Sequence, residues 1–298
     1  MAKYEIKDGV AILPEGIEMI EDYAFSYCKE LKRVVIPQWV RRIGICAFYV
    51  CENLEVVELP EWLEDIGKVA FWGCSSLKEL NLPQWVKRID GYAFRDCKSL
   101  QNLSIPSSVT HIGMGAFSCC SSLVRIKVDS NNPEYDSRED CNAIIHTENN
   151  TLISGCSNTI IPPSVTSIGN MAFSHCTSLT QINLPPSVTS IEDHAFFGCT
   201  SLTQISLPPS VTSIGKCAFW GCTSLTQISL PPSVTSIGYC AFSGCTSLTQ
   251  ISLPPSVTSI GAGAFWCCTS LTLVKVSNNT EVAEDAFEDC PNVKIERY

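Results

Sequence analysis

The second half of this 298-residue chain almost lacks charge: residues 157–274 hold only Glu192, Asp193 and Lys216. A basic excess is missing from the whole, where 20 Lys and Arg stand against 30 Asp and Glu for a formal net charge of −10. A polyanion needs a basic stripe, so neither nucleic acid nor an anionic membrane surface is an expected partner. No apolar run approaches the roughly 18 residues of a membrane helix, so membrane insertion is not expected. The opening MAKYEIKDGVAILPEG has no basic segment leading into an apolar stretch and a small-residue cleavage site, which argues against a secretory signal. There are four histidines, His111, His146, His175 and His194, and they fall at unrelated positions, so no metal or catalytic group is expected. A phosphate-cradling glycine loop is absent too, and the chain is not expected to be an enzyme or to hold a cofactor.

What is abundant is repetition. Phe25, Phe48, Phe71, Phe94 and Phe117 follow one another at a step of 23 residues, each after Ala. After one gap of 56, Phe173, Phe196, Phe219, Phe242 and Phe265 resume the step, and Phe287 closes at 22. A repeat of 20 to 50 residues means one supersecondary unit per copy, stacked because no copy can bury its own apolar face. In the copy from Cys222 to Gly244, Ile228 and Leu230 alternate with Gln227 and Ser229, a strand pattern. Pro231 and Pro232 end it, because proline lacks the N–H that a sheet interior requires. Val234, Ile237 and Gly238 return the chain, and Ala241 and Phe242 turn inward on a short helical or 3-10 turn. The expected fold is a mostly β, α/β-type solenoid with one parallel, in-register sheet and short helical or 3-10 turns opposite. Residues 1–298 are read as a single domain, with 1–14 an N-terminal cap strand and 275–298 a C-terminal cap.

The string L-x-x-I-x-L-P-x-x-V-x-x-I-G-x-x-A-F-x-x-C, carried from Leu13 to Cys290, resembles the leucine-rich repeat subtype named after Treponema pallidum and the bacterial surface protein A (BspA-like) family. The resemblance implies a right-handed leucine-rich-repeat superhelix and non-enzymatic binding of a protein or glycan, adhesin-like, on bacterial and protist cell surfaces. The missing leader and the many cysteines point instead to a reducing interior, so the location stays open. A monomer is expected, and a passive structural role without a dedicated ligand is the alternative.

Two surfaces are candidates for recognition. The first is a row of indoles at one phase of three consecutive repeats, Trp39, Trp62 and Trp85, read either as a surface clasp in which each ring covers the next or as a patch for a partner. The second is the outward strand face, Gln181, Asn183, Gln204, Ser206, Gln227, Ser229, Gln250 and Ser252, read either as an amide ladder or as a polar platform for peptide or glycan. The Thr189, Thr212, Thr235 and Thr258 row lacks the paired pattern an ice lattice would need. Charged columns, Arg41-Glu64-Lys87, Arg42-Asp65-Arg88 and Lys32-Glu55-Lys78, are expected to form coil-to-coil ion pairs.

Of 18 cysteines, eleven form one column three residues after Phe: Cys28, Cys51, Cys74, Cys97, Cys120, Cys176, Cys199, Cys222, Cys245, Cys268 and Cys290. Stacked side chains about 4.8 Å apart are too distant for a bridge, so these are expected to be buried thiols meeting backbone groups. Cys46, Cys217 and Cys240 lie off the column, and the last two are neighbours that could pair or react on oxidation. The gap of 56 is an irregular insertion at 129–161. Its strands are expected at 142–145 and 151–154 around a turn at Glu148-Asn149-Asn150, as an acidic loop projecting from one face where a basic partner would dock.

Overall fold

The computed structural model describes residues 3–298; Met1 and Ala2 of the expected cap segment lie outside the described residues. The chain divides into two compact units, residues 1–148 and 149–298.

In the first unit Glu5–Lys7 folds back antiparallel on Val10–Ile12, which begins a parallel stack with Arg33–Val35 and Val56–Glu58. Asn102–Ile105 and Arg125–Val128 continue the pattern in register. In the second unit Gln181–Asn183, Gln204–Ser206 and Gln227–Ser229 stack in parallel, as do Gln250–Ser252, Leu273–Val276 and Lys294–Arg297. Each partner sits one repeat away, so Ile182, Ile205 and Ile228 superpose and face inward.

The return segment builds a second ladder of two-residue strands that the periodicity did not disclose. Met19–Ile20, Arg42–Ile43, Asp65–Ile66, Arg88–Ile89 and His111–Ile112 form it in the first unit. Ser167–Ile168, Ser190–Ile191, Ser213–Ile214, Ser236–Ile237 and Ser259–Ile260 form it in the second. Two residues suffice because the glycine or acid that follows turns the chain at once.

The Ala-Phe corner is a run of turns rather than the expected helical segment; Arg138–Asp140 is the one 3-10 helix among the described residues. The corner has its own hydrogen-bond order. Residues two before and two after each corner Phe from Phe25 to Phe117 and from Phe173 to Phe265 carry positive φ, as in Val69 (62°) and Gly73 (77°) around Phe71 or Cys217 (51°) and Gly221 (68°) around Phe219. Alternate N–H groups consequently point towards the next coil: Val69 donates to Gly91, Phe71 to Ala93 and Gly73 to Arg95, at 3.0, 2.7 and 2.8 Å. This third ladder satisfies corner amides that neither strand ladder reaches.

The phenylalanines are the spine. From Phe25 to Phe117 successive ring centroids lie 4.9–5.6 Å apart with interplanar angles of 2–7°. From Phe173 to Phe287 the values are 5.2–5.4 Å and 2–8°. Phe25 to Phe94 and Phe173 to Phe265 are fully buried, and each buried ring contributes about 2–3 kcal/mol through its removal from water.

The insertion does not project as a loop. Tyr135–Asp136 pairs antiparallel with Ala143–His146, and Cys141, Ala143, Ile144 and Ile145 are buried. Buried Asn132 donates to the carbonyls of Pro106 and Val109 at 2.8 and 2.9 Å and accepts the amides of Glu134 and Tyr135. The Tyr135 hydroxyl accepts the Ile112 amide at 2.9 Å, standing where a further coil would put a carbonyl. The insertion therefore closes the edge of the last regular coil of the first unit. Both expected strands exist, at Ala143–His146 and Thr151–Gly155, one in each unit.

Candidate binding surfaces

The cysteine column is structural. Each ladder thiol from Cys51 to Cys120 donates to the carbonyl of the phenylalanine 26 residues earlier, at 3.0, 3.2, 3.4 and 3.3 Å. Cys199, Cys222, Cys245 and Cys268 repeat the contact at 3.1–3.3 Å. Burial pushes the Cys51 and Cys222 thiols up to about 12 and the Cys74, Cys97 and Cys245 thiols well above the usual range, so they stay protonated donors. No disulfide joins any of the 18 cysteines, all of which lie among the described residues. Off the column, burial and then the neighbouring Cys240 push Cys217 up to about 11, the opposite of what a reactive thiolate needs.

On the strand face of the second unit, Gln181, Asn183, Gln204, Ser206, Gln227, Ser229, Gln250 and Ser252 are exposed. They line a shallow groove of about 640 Å³ together with Leu273 and Lys275. The amide ladder is not formed: among the described residues none of these eight side chains makes a hydrogen bond within the protein. The reason lies in neighbouring columns, where shorter hydroxyls reach the preceding coil's backbone. Thr203 and Thr226 donate to the carbonyls of Thr180 and Thr203 at 3.1 and 3.3 Å. Thr189, Thr212, Thr235 and Thr258 donate likewise at 3.2–3.5 Å, so that row is a structural ladder. Ser187, Ser210, Ser233 and Ser256 reach the carbonyls of Val165, Val188, Val211 and Val234 at 2.5–2.7 Å. Coil-to-coil bonding is thus complete without the glutamines.

Trp39, Trp62 and Trp85 of the first unit occupy the phase of those serines. Trp62 and Trp85 are in tilted contact, ring centroids 5.3 Å and planes 31° apart, whereas Trp39 contacts no ring among the described residues and is 68% exposed. The clasp is therefore a pair, and one indole stands free. Of the charged columns, Glu64 bridges Arg41 at 3.1 Å and Lys87 at 2.7 Å as expected. Arg42-Asp65 and Lys32-Glu55-Lys78 do not pair; Arg88 turns to Asp90 on its own coil at 2.8 Å, and Lys29 meets Glu52 at 3.4 Å.

The residues flanking the corner phenylalanines build a second aromatic surface. In the first unit Tyr27, Tyr49, Trp72 and Tyr92 are in successive ring contact at 5.1–5.9 Å, and the Arg95 guanidinium lies 4.7 Å from the Trp72 ring centre. In the second Phe197 stacks on Trp220 at 4.5 Å. Their signal was present in the 23-residue spacing of Tyr49 to Trp72 and of Phe197 to Trp220, masked by the stronger Phe period beside them.

No group of three or more His, Cys, Asp or Glu that could hold a metal occurs among the described residues, and no helix there is long and apolar enough to cross a membrane. Repeated strand faces over a phenylalanine spine, with a thiol at each turn, match one family. The BspA type Leucine rich repeat region fits residues 18–141 and 166–294 in six copies. The chain belongs to that family. It is similar to a leucine rich cell surface protein of Faecalibacterium prausnitzii, with 27% identity, 94% of this chain and 83% of the other covered, and a TM-score of 0.61. A leucine-rich repeat protein of Eubacterium ventriosum is 24% identical over 96% and 82% of the two chains with a TM-score of 0.73, a likeness of fold. The pneumococcal vaccine antigen PcpA, 21% identical, covers 95% of this chain with 60% of its own length at a TM-score of 0.60, again a likeness of fold. Among curated proteins none matches the chain.

Proposed function

We propose that this BspA-type repeat chain is a non-enzymatic binding scaffold whose main recognition surface is the strand face of Gln181, Asn183, Gln204, Ser206, Gln227, Ser229, Gln250 and Ser252. One observation carries the reading: these donors and acceptors are exposed and unspent, while the Ser and Thr of adjacent columns are committed to the backbone. A regular row of amides presents the donors and acceptors that an extended peptide or a glycan offers in return. Trp39, with the Trp62-Trp85 pair, forms a second contact area in the first unit. The likeness to a protein described as a cell surface protein supports display at a surface, and the buried, satisfied thiols of the cysteine column are compatible with it.

The test is selection of binders from a random-peptide display library and a glycan array on the wild-type chain. Binding is then measured on a Gln204→Lys/Gln227→Lys variant and on a Trp39→Ser/Trp62→Ser/Trp85→Ser variant of unchanged melting behaviour. A loss of tenfold or more with the glutamine variant supports the strand face. Selected ligands that ignore both sets of substitutions, or no selected ligand at all, favour the passive structural alternative.

A further inference from the structure

A separate hollow of about 330 Å³ lies on the corner side of the second unit, lined by Phe197, Trp220, Tyr239, Trp266, Asp285 and Glu288 with Cys217, Cys240 and Gly263. Its walls come from the repeat register. Phe197, Trp220, Ser243 and Trp266 each follow a corner phenylalanine, so two indoles flank a small residue one coil from each. Phe197 covers one face of Trp220 at 4.5 Å with planes 9° apart, and no other ring among the described residues contacts Trp220. Trp266 is held by its indole N–H, which donates to Asp289 at 3.0 Å. Gly263 keeps space open: its φ is +59°, and a Cβ there would fall 3.0 Å from the Cys240 sulfur. Tyr239 stands 54% exposed on the same side.

The electrostatics point one way. Asp289 is engaged by Trp266 and Cys267, but Asp285 and Glu288 have no ion pair or side-chain hydrogen bond among the described residues. Lys216 is the one Lys or Arg in residues 157–274. Aromatic faces with unneutralised carboxylates at their rim attract a large, weakly hydrated cation: the ring quadrupole meets the charge and the carboxylates add Coulomb attraction. An inorganic cation would want convergent oxygen ligands, which this hollow does not offer. A neutral sugar would donate its hydroxyl groups to the two carboxylates but would leave their charge uncompensated.

We propose that this hollow is a binding site for an organic cation, a guanidinium or quaternary ammonium group, with Trp220, Tyr239 and Trp266 as its aromatic contacts and Asp285 and Glu288 as its counter-charges. The site is independent of the glutamine face.

The experiment is titration of the intact chain, followed by tryptophan fluorescence and by the indole N–H resonances of Trp220 and Trp266. The probes are tetramethylammonium, N-acetyl-arginine amide, and their neutral analogues 3,3-dimethylbutanol and N-acetyl-citrulline amide. Saturable binding of a cation at least about fivefold tighter than of its neutral analogue is expected, the ratio a single partly exposed cation–π contact supplies. A preference for the arginine probe marks a side chain of a protein partner as the source, and a preference for tetramethylammonium marks a free quaternary amine. The near-isosteric Asp285→Asn/Glu288→Gln variant, which removes charge without removing packing, should weaken the cation about fivefold, and Trp266→Ala should abolish its binding. Equal affinity for cation and neutral analogue, no saturable change with either cation, or undiminished binding by the Asp285→Asn/Glu288→Gln variant would overturn the proposal.

Discussion

The Cys51 sulfur lies 3.0 Å from the carbonyl oxygen of Phe25 in the preceding coil, and the same oxygen accepts the amide of Cys28 at 3.0 Å. One carbonyl thus takes a backbone donor from its own coil and a thiol donor from the next. The cysteine column is a set of rungs between turns, which is why a small residue with a weak donor recurs there and why the thiols need no partner of their own kind.

Removing one rung should be costly out of proportion to its size. Cys97→Ala leaves the Phe71 oxygen without its second donor and opens a small void, and should lower stability by about 1–2 kcal/mol. Cys97→Ser keeps a hydroxyl donor and should recover part of that. Urea midpoints of the two variants check the order; equal losses would mean that the thiol contributes by volume alone.

The corner imposes left-handed backbone on residues unsuited to it. Val69, at φ 62°, is β-branched in a region that L residues with branched side chains avoid. Val69→Asn should raise stability by about 0.5–1 kcal/mol, because asparagine tolerates this conformation and Val69 is only half-buried. Thermal denaturation reads the change, and a fall in Tm would show that Val69 packing outweighs backbone relief.

The Glu64 clasp gives a pH signature. Its hydrogen bond and charge contact with Lys87, reinforced by Arg41, hold the Glu64 carboxyl below the usual glutamate range. A carboxyl depressed in the folded state contributes stability above its unfolded pKa, near 4.3, and loses it as pH falls through the folded value. The pair is solvent-exposed, so the effect on stability is a fraction of a kcal/mol. Side-chain NMR titration should find Glu64 titrating low in the wild type and moving upward in Lys87→Met.

Tyr135→Phe isolates the capping role of the insertion. The substitution keeps the ring and removes the oxygen that accepts the Ile112 amide. A loss of about 1–2 kcal/mol is expected, with faster exchange of the Ile112 amide. Unchanged exchange at Ile112 would show that the insertion covers the coil edge without bonding to it.

The 23-residue step and the alternation of Ile228 and Leu230 with Gln227 and Ser229 carried the stacked strands and the buried spine, since both are patterns of apolar spacing. The second strand ladder was hidden because Ser236–Ile237 is too short to show a period. The corner conformation was hidden because its left-handed positions hold Tyr, Val, Cys, His and Asp as well as Gly, leaving no composition to read. The glutamine column was legible as an outward face, but whether it bonds along the axis was not: which of two polar columns bonds the neighbouring coil depends on side-chain placement, and Thr226 bonds there where Gln227 does not. The two strands of the insertion were legible in its sequence, but its packing against the last coil was not, because the antiparallel pair Tyr135–Asp136 and the role of Asn132 depend on the coil they meet, not on their own spacing.

The account rests on coils that bond to one another at the corners as firmly as along the strands. Residue-resolved amide hydrogen exchange tests this most directly at Cys217, Phe219 and Gly221, which donate to Tyr239, Ala241 and Ser243 of the next coil at 2.8 Å each. These three amides should be protected to the same degree as that of Ile205, whose strand is paired on both sides in the stack. Exchange at the rate of an unstructured turn, with Ile205 still protected, would contradict the account.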